Sequence, residues 1–196
     1  MLQIRLHGRG GQGGKTSAEI IASSVIRSGK EAKTFPDYGP ERSGAPVRYY
    51  IKISDREIKS NQPIAEPDAV VVLDETLLGK SDIIQGLRKG GFFVLNSSPT
   101  PSKLNEVKNK IGNNFKIAIV NASQIAIDLF RKNFPNVPIV GAIARVTGEI
   151  EMEGLINETK KKFRSLPREI IEKNIQALKE GYNTVKLFYE KEKQVK

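Results

Sequence analysis

The chain has 196 residues, with 32 Lys and Arg against 22 Asp and Glu, a formal charge of +10, one histidine and no cysteine. A chain without cysteine holds no disulfide, no thiolate nucleophile, no cysteine-bound iron–sulfur cluster and no cysteine zinc site, and one histidine builds no multi-histidine metal site. No apolar run approaches the ~20 residues of a membrane span, and no leader pattern precedes Leu2-Gln3-Ile4-Arg5-Leu6, so a soluble, cytoplasmic single domain is expected.

Residues 3–7 read as a short strand, followed by a glycine-rich turn and a helix from Lys15 to Ser28, in which Ala18, Ile21, Ala22 and Val25 share a face. Gly29 suits its C-terminal end. Ala32 to Phe35 is a second strand, and the alternating, aromatic and β-branched run Val47 to Ile53 a third. Ser54-Asp55-Arg56 reads as a tight turn into a further short strand. The continuous apolar run Ala69 to Leu73 fits a strand buried on both faces of a parallel sheet. A helix is expected over Thr76 to Lys89, ended by Gly90-Gly91, with strands at Phe92–Leu95 and Phe115–Val120. Ser123 to Asn133 is helical up to Pro135, Ile139 to Thr147 reads as a buried helix, and Glu153 to Lys193 as helical with a break at Pro167. The late basic run Lys160-Lys161-Lys162-Phe163-Arg164 reads as a solvated helix face, although a basic balance favours anionic partners. The alternation argues for a three-layer α/β/α, Rossmann-like domain with a mostly parallel sheet and a C-terminal helical tail. It divides as an α/β core over 1–150 and a tail over 151–196.

Two stretches carry candidate chemistry. Gly8-Arg9-Gly10-Gly11-Gln12-Gly13 satisfies G-x-G-x-x-G between a strand and a helix, where backbone N–H groups and the helix dipole favour an anion. A nicotinamide dinucleotide site needs an acidic residue at the end of the second strand. Glu31 and Asp37 only flank that strand. Gly14-Lys15-Thr16 imitates the end of a nucleotide-triphosphate loop, but that loop needs glycine where Arg9 stands, leaving Asp74 as a false magnesium ligand. A turn that merely packs helix on strand is the plain alternative. The second stretch runs from Phe35 to Pro46. Its prolines and glycines exclude a strand interior and make a constrained loop carrying Tyr38, Glu41 and Arg42 outward, with Arg42 able to fork onto a phosphate or carboxylate. Asn96-Ser97-Ser98 ends a strand where α/β sheets collect ligands, and serves equally as a turn capping the next helix.

The Gly8–Gly13 turn, together with Tyr38-Gly39-Pro40-Glu41-Arg42-Ser43-Gly44-Ala45-Pro46, resembles the gamma subunits of pyruvate and other 2-oxoacid:ferredoxin oxidoreductases. Glu66-Pro67-Asp68 to Asp74, Val140 to Gly148 and Asn174 to Tyr182 are similar to further segments of that family. The form around Arg42 looks most like the pyruvate or branched-chain enzymes rather than the oxoglutarate ones. Ser43 stands where many members have a second arginine, which weakens a two-arginine anion clamp.

The resemblance implies a subunit without activity of its own in an enzyme, pyruvate synthase, that oxidatively decarboxylates a 2-oxoacid with coenzyme A and passes the electrons to ferredoxin. It implies alpha, beta and delta partners holding thiamine diphosphate, magnesium and 4Fe-4S clusters, and no nucleic acid or membrane partner. It further implies a coenzyme A contact made by Gly8, Gly10, Gly11, Gln12, Gly13, Tyr38, Arg42, Ser43 and Gly44, with no catalytic or metal-binding residue. The alternatives are the gamma subunit of a branched-chain 2-oxoacid or 2-oxoglutarate enzyme of the same family, a stand-alone nucleotide-binding enzyme, argued from the glycine turn, and a basic nucleic-acid module, which lacks aromatic–basic motifs.

Overall fold

The computed structural model describes residues 1–38, 44–79 and 82–188. A seven-stranded sheet has the order β2-β3-β1-β4-β5-β6-β7. Strands β1 (Leu2–Arg9), β4 (Ala69–Val72), β5 (Phe92–Asn96) and β6 (Lys116–Val120) form a parallel block. β3 (Pro46–Ser54) pairs antiparallel with both β1 and β2 (Glu31–Tyr38), so β2 runs in the direction of β1 without touching it. The carboxyl ends of five strands therefore gather at one edge, and the expected α/β class with a mostly parallel sheet holds.

The continuous apolar runs are buried on both faces, as their composition requires. On one face, α1 (Gly14–Arg27), α3 (Ala122–Phe130), α4 (Asn136–Thr147), α5 (Met152–Lys162) and α6 (Arg168–Thr184) enclose a core around Ile4, Leu6, Ile51, Val71, Ile139 and Leu178. On the other, α2 (Pro101–Ile111) and the stretch Leu77–Leu87 cover Val70, Val72, Phe93, Leu95, Ile117 and Ile119. Helix α4 is buried nearly all round, and Gly141 and Gly181 let it touch α6 at backbone distance. A Cβ on Gly141 would meet the Leu178 carbonyl, and one on Gly181 the Pro138 carbonyl.

Several expectations change. β2 continues through Pro36 and Asp37 to Tyr38, because it is an edge strand and a missing N–H is tolerated there. No strand follows Ser54; residues 57–68 are irregular, anchored by buried Ile58 and Ile64. In place of a helix over 76–89 there is one 3-10 turn, Glu75–Leu77, and then turns over 82–86. Gly86, with φ 73 and its α-carbon against the Ala65 carbonyl, breaks any helix there, while Leu77, Leu78, Ile83 and Leu87 still bury on the sheet. Helix α2 had no counterpart among the expected elements; Thr100 caps it by accepting from the Lys103 N–H at 3.2 Å, ahead of Pro101. α3 ends at Phe130 with Arg131 left-handed, short of Asn133. The helical tail stops at Thr184, and Lys186–Phe188 form β7, whose backbone completes the open edge of β6. α5 and α6 share the main core through Leu155, Ala177 and Leu178.

Candidate functional site

The glycine turn leaves β1 at the carboxyl edge, and its conformation follows from its residues. Gly11 has φ 93 with open space around its α-carbon, and Gly13 has φ 78 as the N-cap of α1. A Cβ on Gly13 would lie 2.7 Å from the Asn136 side chain, and one on Gly14 would strike Tyr49. Gly8 passes beneath Leu73, where a Cβ would come to 3.1 Å. Close packing thus accounts for Gly8, Gly13 and Gly14, and left-handed backbone for Gly11 and Gly13.

The side chains of the turn are fixed by Asp74, at the end of β4. Gln12 accepts the Arg9 backbone N–H at 2.8 Å through Oε1 and donates to Asp74 Oδ2 at 2.9 Å through Nε2. Arg9 Nε donates to the same oxygen at 3.0 Å. Thr76 donates to Oδ1 through its N–H at 3.0 Å and its hydroxyl at 2.6 Å. The side chain of Asp74 is 15% exposed. Burial pushes its carboxyl pKa up, but the hydrogen bonds from Thr76 and Gln12 and the charge of Arg9 outweigh this and hold it below the usual carboxylate range. Every strong acceptor site on Asp74 is engaged, so it is a clamp on the turn and not a free metal ligand.

Arg9 also carries the turn to the second stretch. Its Nη1 donates to the Gly44 carbonyl at 3.2 Å, and the Gly10 N–H donates to the Ala45 carbonyl at 3.1 Å. Tyr38, the last residue of β2, pairs with Val47 of β3. The two candidate stretches therefore meet, though not as direct neighbours in the sheet. β3 stands between β1 and β2, and its first residues follow the loop and bring it back onto the turn. The same insertion removes the dinucleotide reading, because the strand beside β1 is antiparallel and Asp37, two strands away, accepts the Tyr50 hydroxyl at 3.0 Å. Arg42 and Ser43 lie outside the described residues.

Two clefts flank the turn. On the β4 side, about 490 Å³ is lined by polar groups including Gln12, Asp74, Thr76, Ser97 and Lys103. Asn96 frames it from β5, donating to the Leu73 carbonyl at 2.8 Å and the Ser123 hydroxyl at 2.9 Å and accepting the Ser123 N–H at 3.0 Å. The helix that follows Asn96-Ser97-Ser98 is capped by Thr100 and not by this segment, while Asn96 braces the start of α3. On the other side a larger, more apolar groove opens beyond Gly11 and Gly13. Arg9, Asp74 and Thr76 were not among the expected site residues. The signal was present in the polar Asp74-Glu75-Thr76 directly after a buried strand.

The site is a glycine turn and hairpin base at the carboxyl edge of an α/β sheet, in a chain with no cysteine and no cluster of three metal-ligating side chains among the described residues. The profile of the family described as "Pyruvate ferredoxin/flavodoxin oxidoreductase" matches residues 3–184, and the chain belongs to that family. Pyruvate synthase subunit PorC of Thermotoga maritima is 40% identical over 94% of each chain. The crystal structure of subunit PORC from that organism has a TM-score of 0.84 at 37% identity, covering 95% of this chain and 97% of that one. The pyruvate/ketoisovalerate oxidoreductases common subunit gamma of Thermococcus kodakarensis is 39% identical over 93% of this chain and 96% of its own. The fold also recurs in 2-oxoglutarate:ferredoxin oxidoreductase from Magnetococcus marinus, solved with 2-oxoglutarate, coenzyme A and succinyl-CoA bound. There the TM-score is 0.75 at 22% identity, over 93% of this chain and 30% of that longer one. The chain is thus a gamma-type subunit of a pyruvate-class oxidoreductase.

Proposed function

We propose that this gamma subunit of pyruvate synthase acts by positioning, with its glycine turn and the adjoining β2–β3 connection forming one wall of the cleft through which coenzyme A reaches the acyl intermediate. The observation that carries the reading is the tie between the two stretches: Gly10 to Ala45 and Arg9 to Gly44, with Arg9 itself held by Asp74. A turn tied to Gly44 and Ala45 on one side and to Asp74 on the other can orient a long, anionic thiol as it takes the acyl group, and that is where positioning catalysis gains its rate. The coenzyme A bound in the Magnetococcus marinus enzyme supports the choice of ligand.

Thiamine diphosphate with its magnesium and the 4Fe-4S clusters would lie in alpha, beta and delta partners, which deliver electrons to ferredoxin. This chain offers neither cluster thiolates nor, among its described residues, a carboxylate group set for the metal. The Thermococcus kodakarensis relative is described as common to pyruvate and ketoisovalerate oxidoreductases. A gamma chain shared in this way does not choose the 2-oxoacid, and we extend that division of labour to this chain.

The test is Arg42→Ala in the assembled enzyme. Loss of one charged hydrogen bond, about 1.5–3 kcal/mol, raises the coenzyme A requirement roughly ten- to hundredfold while the 2-oxoacid requirement changes less. Subunit content is measured on the same preparation. Intact assembly with unchanged coenzyme A kinetics overturns the reading, and dissociation reassigns Arg42 to an interface.

A further inference from the structure

On the side of the glycine turn away from Asp74, a groove of about 720 Å³ runs between Gly11 and Gly13, the α3–α4 connection and the α5–α6 connection. Its walls are Leu129, Phe134, Phe163, Leu166 and Ile170. Phe134 is 48% exposed and Leu166 42% exposed. Both precede a proline, Pro135 before α4 and Pro167 before α6, and a residue before proline is driven from helical backbone. The sequence thus holds two large apolar side chains outside the helices that would otherwise absorb them.

The rim is mainly cationic, with three basic side chains against one carboxylate. Arg131 and Lys132 line the groove and make no ion pair with any described residue. Arg131 is the only non-glycine residue with positive φ among the described residues. Lys173, on the opposite wall, is paired with Glu169 at 2.6 Å. The one carboxylate in the lining, Asp128, accepts the Gln124 amide at 2.9 Å. Asn174 also lines the groove. It is 7% exposed and donates to the Ile170 carbonyl at 2.7 Å.

We propose that this groove docks an acidic segment of a partner subunit, a short stretch that seats two apolar side chains against Phe134 and Leu166 and sets carboxylates on Arg131 and Lys132. The proposal rests on the reading of the chain as a subunit. Charge decides the occupant: a second copy, itself +10, would bring further cations to an unpaired cationic rim. The described chain leaves in another direction: β7 runs antiparallel to β6 and reaches Phe188 beside Ile117, at the amino edge of the sheet.

The experiment uses the oxidoreductase reconstituted from this full chain and its co-produced partner subunits. Failure of the wild-type chain to assemble would sink the subunit reading itself. Given assembly, Phe134→Asp, Leu166→Asp and the double variant Arg131→Glu/Lys132→Glu are each expected to weaken association tenfold or more. The double variant should also flatten its salt dependence. Lys89→Glu, exposed at the amino edge, should leave association unchanged. Unchanged affinity in the three folded groove variants overturns the proposal. Where a variant does not fold, a photo-crosslinking residue at position 134 of the assembled complex decides. A crosslink to a carboxylate-rich segment of a partner supports docking, whereas a crosslink to another copy, to a basic segment or to nothing overturns it.

Discussion

Gly13 and His7 show how far single residues are constrained at the end of β1. At Gly13 two effects add: a left-handed backbone, which costs an L-residue about 1–2 kcal/mol, and the approach of Asn136 to within 2.7 Å of a new Cβ. Gly13→Ala should therefore lower stability in urea titration by more than that backbone cost alone. Asn136→Ala in the same chain should recover only part of the steric cost, because the Asn136 Cβ, which alanine keeps, would itself lie 2.8 Å from the new Cβ. His7 is 5% exposed, and its Nε2 accepts Arg5 Nε at 3.0 Å. Burial, then the charges of Arg5 and Arg48, lower its pKa to about 3. Between pH 6.5 and about 3 the unfolded imidazole carries a proton that the folded one refuses, so stability falls as pH falls through that window. By pH 5 the loss relative to pH 7 should be about 2 kcal/mol, and His7→Gln should remove that component when unfolding is measured at the two pH values. None of this was legible in the sequence, where His7 was only a lone histidine beside a glycine turn. The clamp was equally hidden, because Gln12 and Asp74 are 62 positions apart and meet only once β1 and β4 pair.

Among the elements, the α4–α6 crossing is the least tolerant. Gly141 and Gly181 face carbonyl groups of the opposite helix, which cannot move aside as a side chain tip would. Gly141→Ala and Gly181→Ala should each cost about 3 kcal/mol or more by thermal unfolding. Gly79→Ala, with open space around its α-carbon, should stay within about 0.5 kcal/mol of the parent. Elements with a strong period were readable: β1, β3, β4, β5, β6, α1 and α4 lie where apolar runs and flanking glycines put them. The failures have separate causes. Leu77, Leu78, Ile83 and Leu87 have a spacing that resembles a helical face, but Gly86 is committed to contact with Ala65, so the stretch covers the sheet without a helix. α2 is mostly polar, burying only Val107 and Ile111, and only its Thr100-Pro101 start was a signal. β7 depends on an unpaired edge of β6, a tertiary fact that local sequence does not carry.

For the whole molecule, the absence of cysteine has a direct test. The purified chain should fold, remain colourless and contain no iron, flavin or thiamine diphosphate by metal analysis, absorbance and mass spectrometry. A stoichiometric chromophore would contradict the positioning role proposed for it. That the two motif stretches would share one edge was readable from their places after strands. The reason was not, because nothing local in the sequence announces that β3 inserts between β1 and β2. The groove walled by Phe134 and Leu166 was likewise invisible, since its parts come from three connections that only the packed helices bring together.

The direction of β7 has a consequence for how such a chain can be joined to others. β1 starts, and β7 ends, at the amino edge of the sheet, while the turn, the hairpin base and the groove lie toward the opposite edge. Covalent linkage at either terminal strand would therefore leave the working edge unobstructed. A tether joined at the start of β1, or directly at Phe188 in a chain shortened to that residue, is expected to begin on the edge opposite the surface on which coenzyme A and partner contacts are proposed.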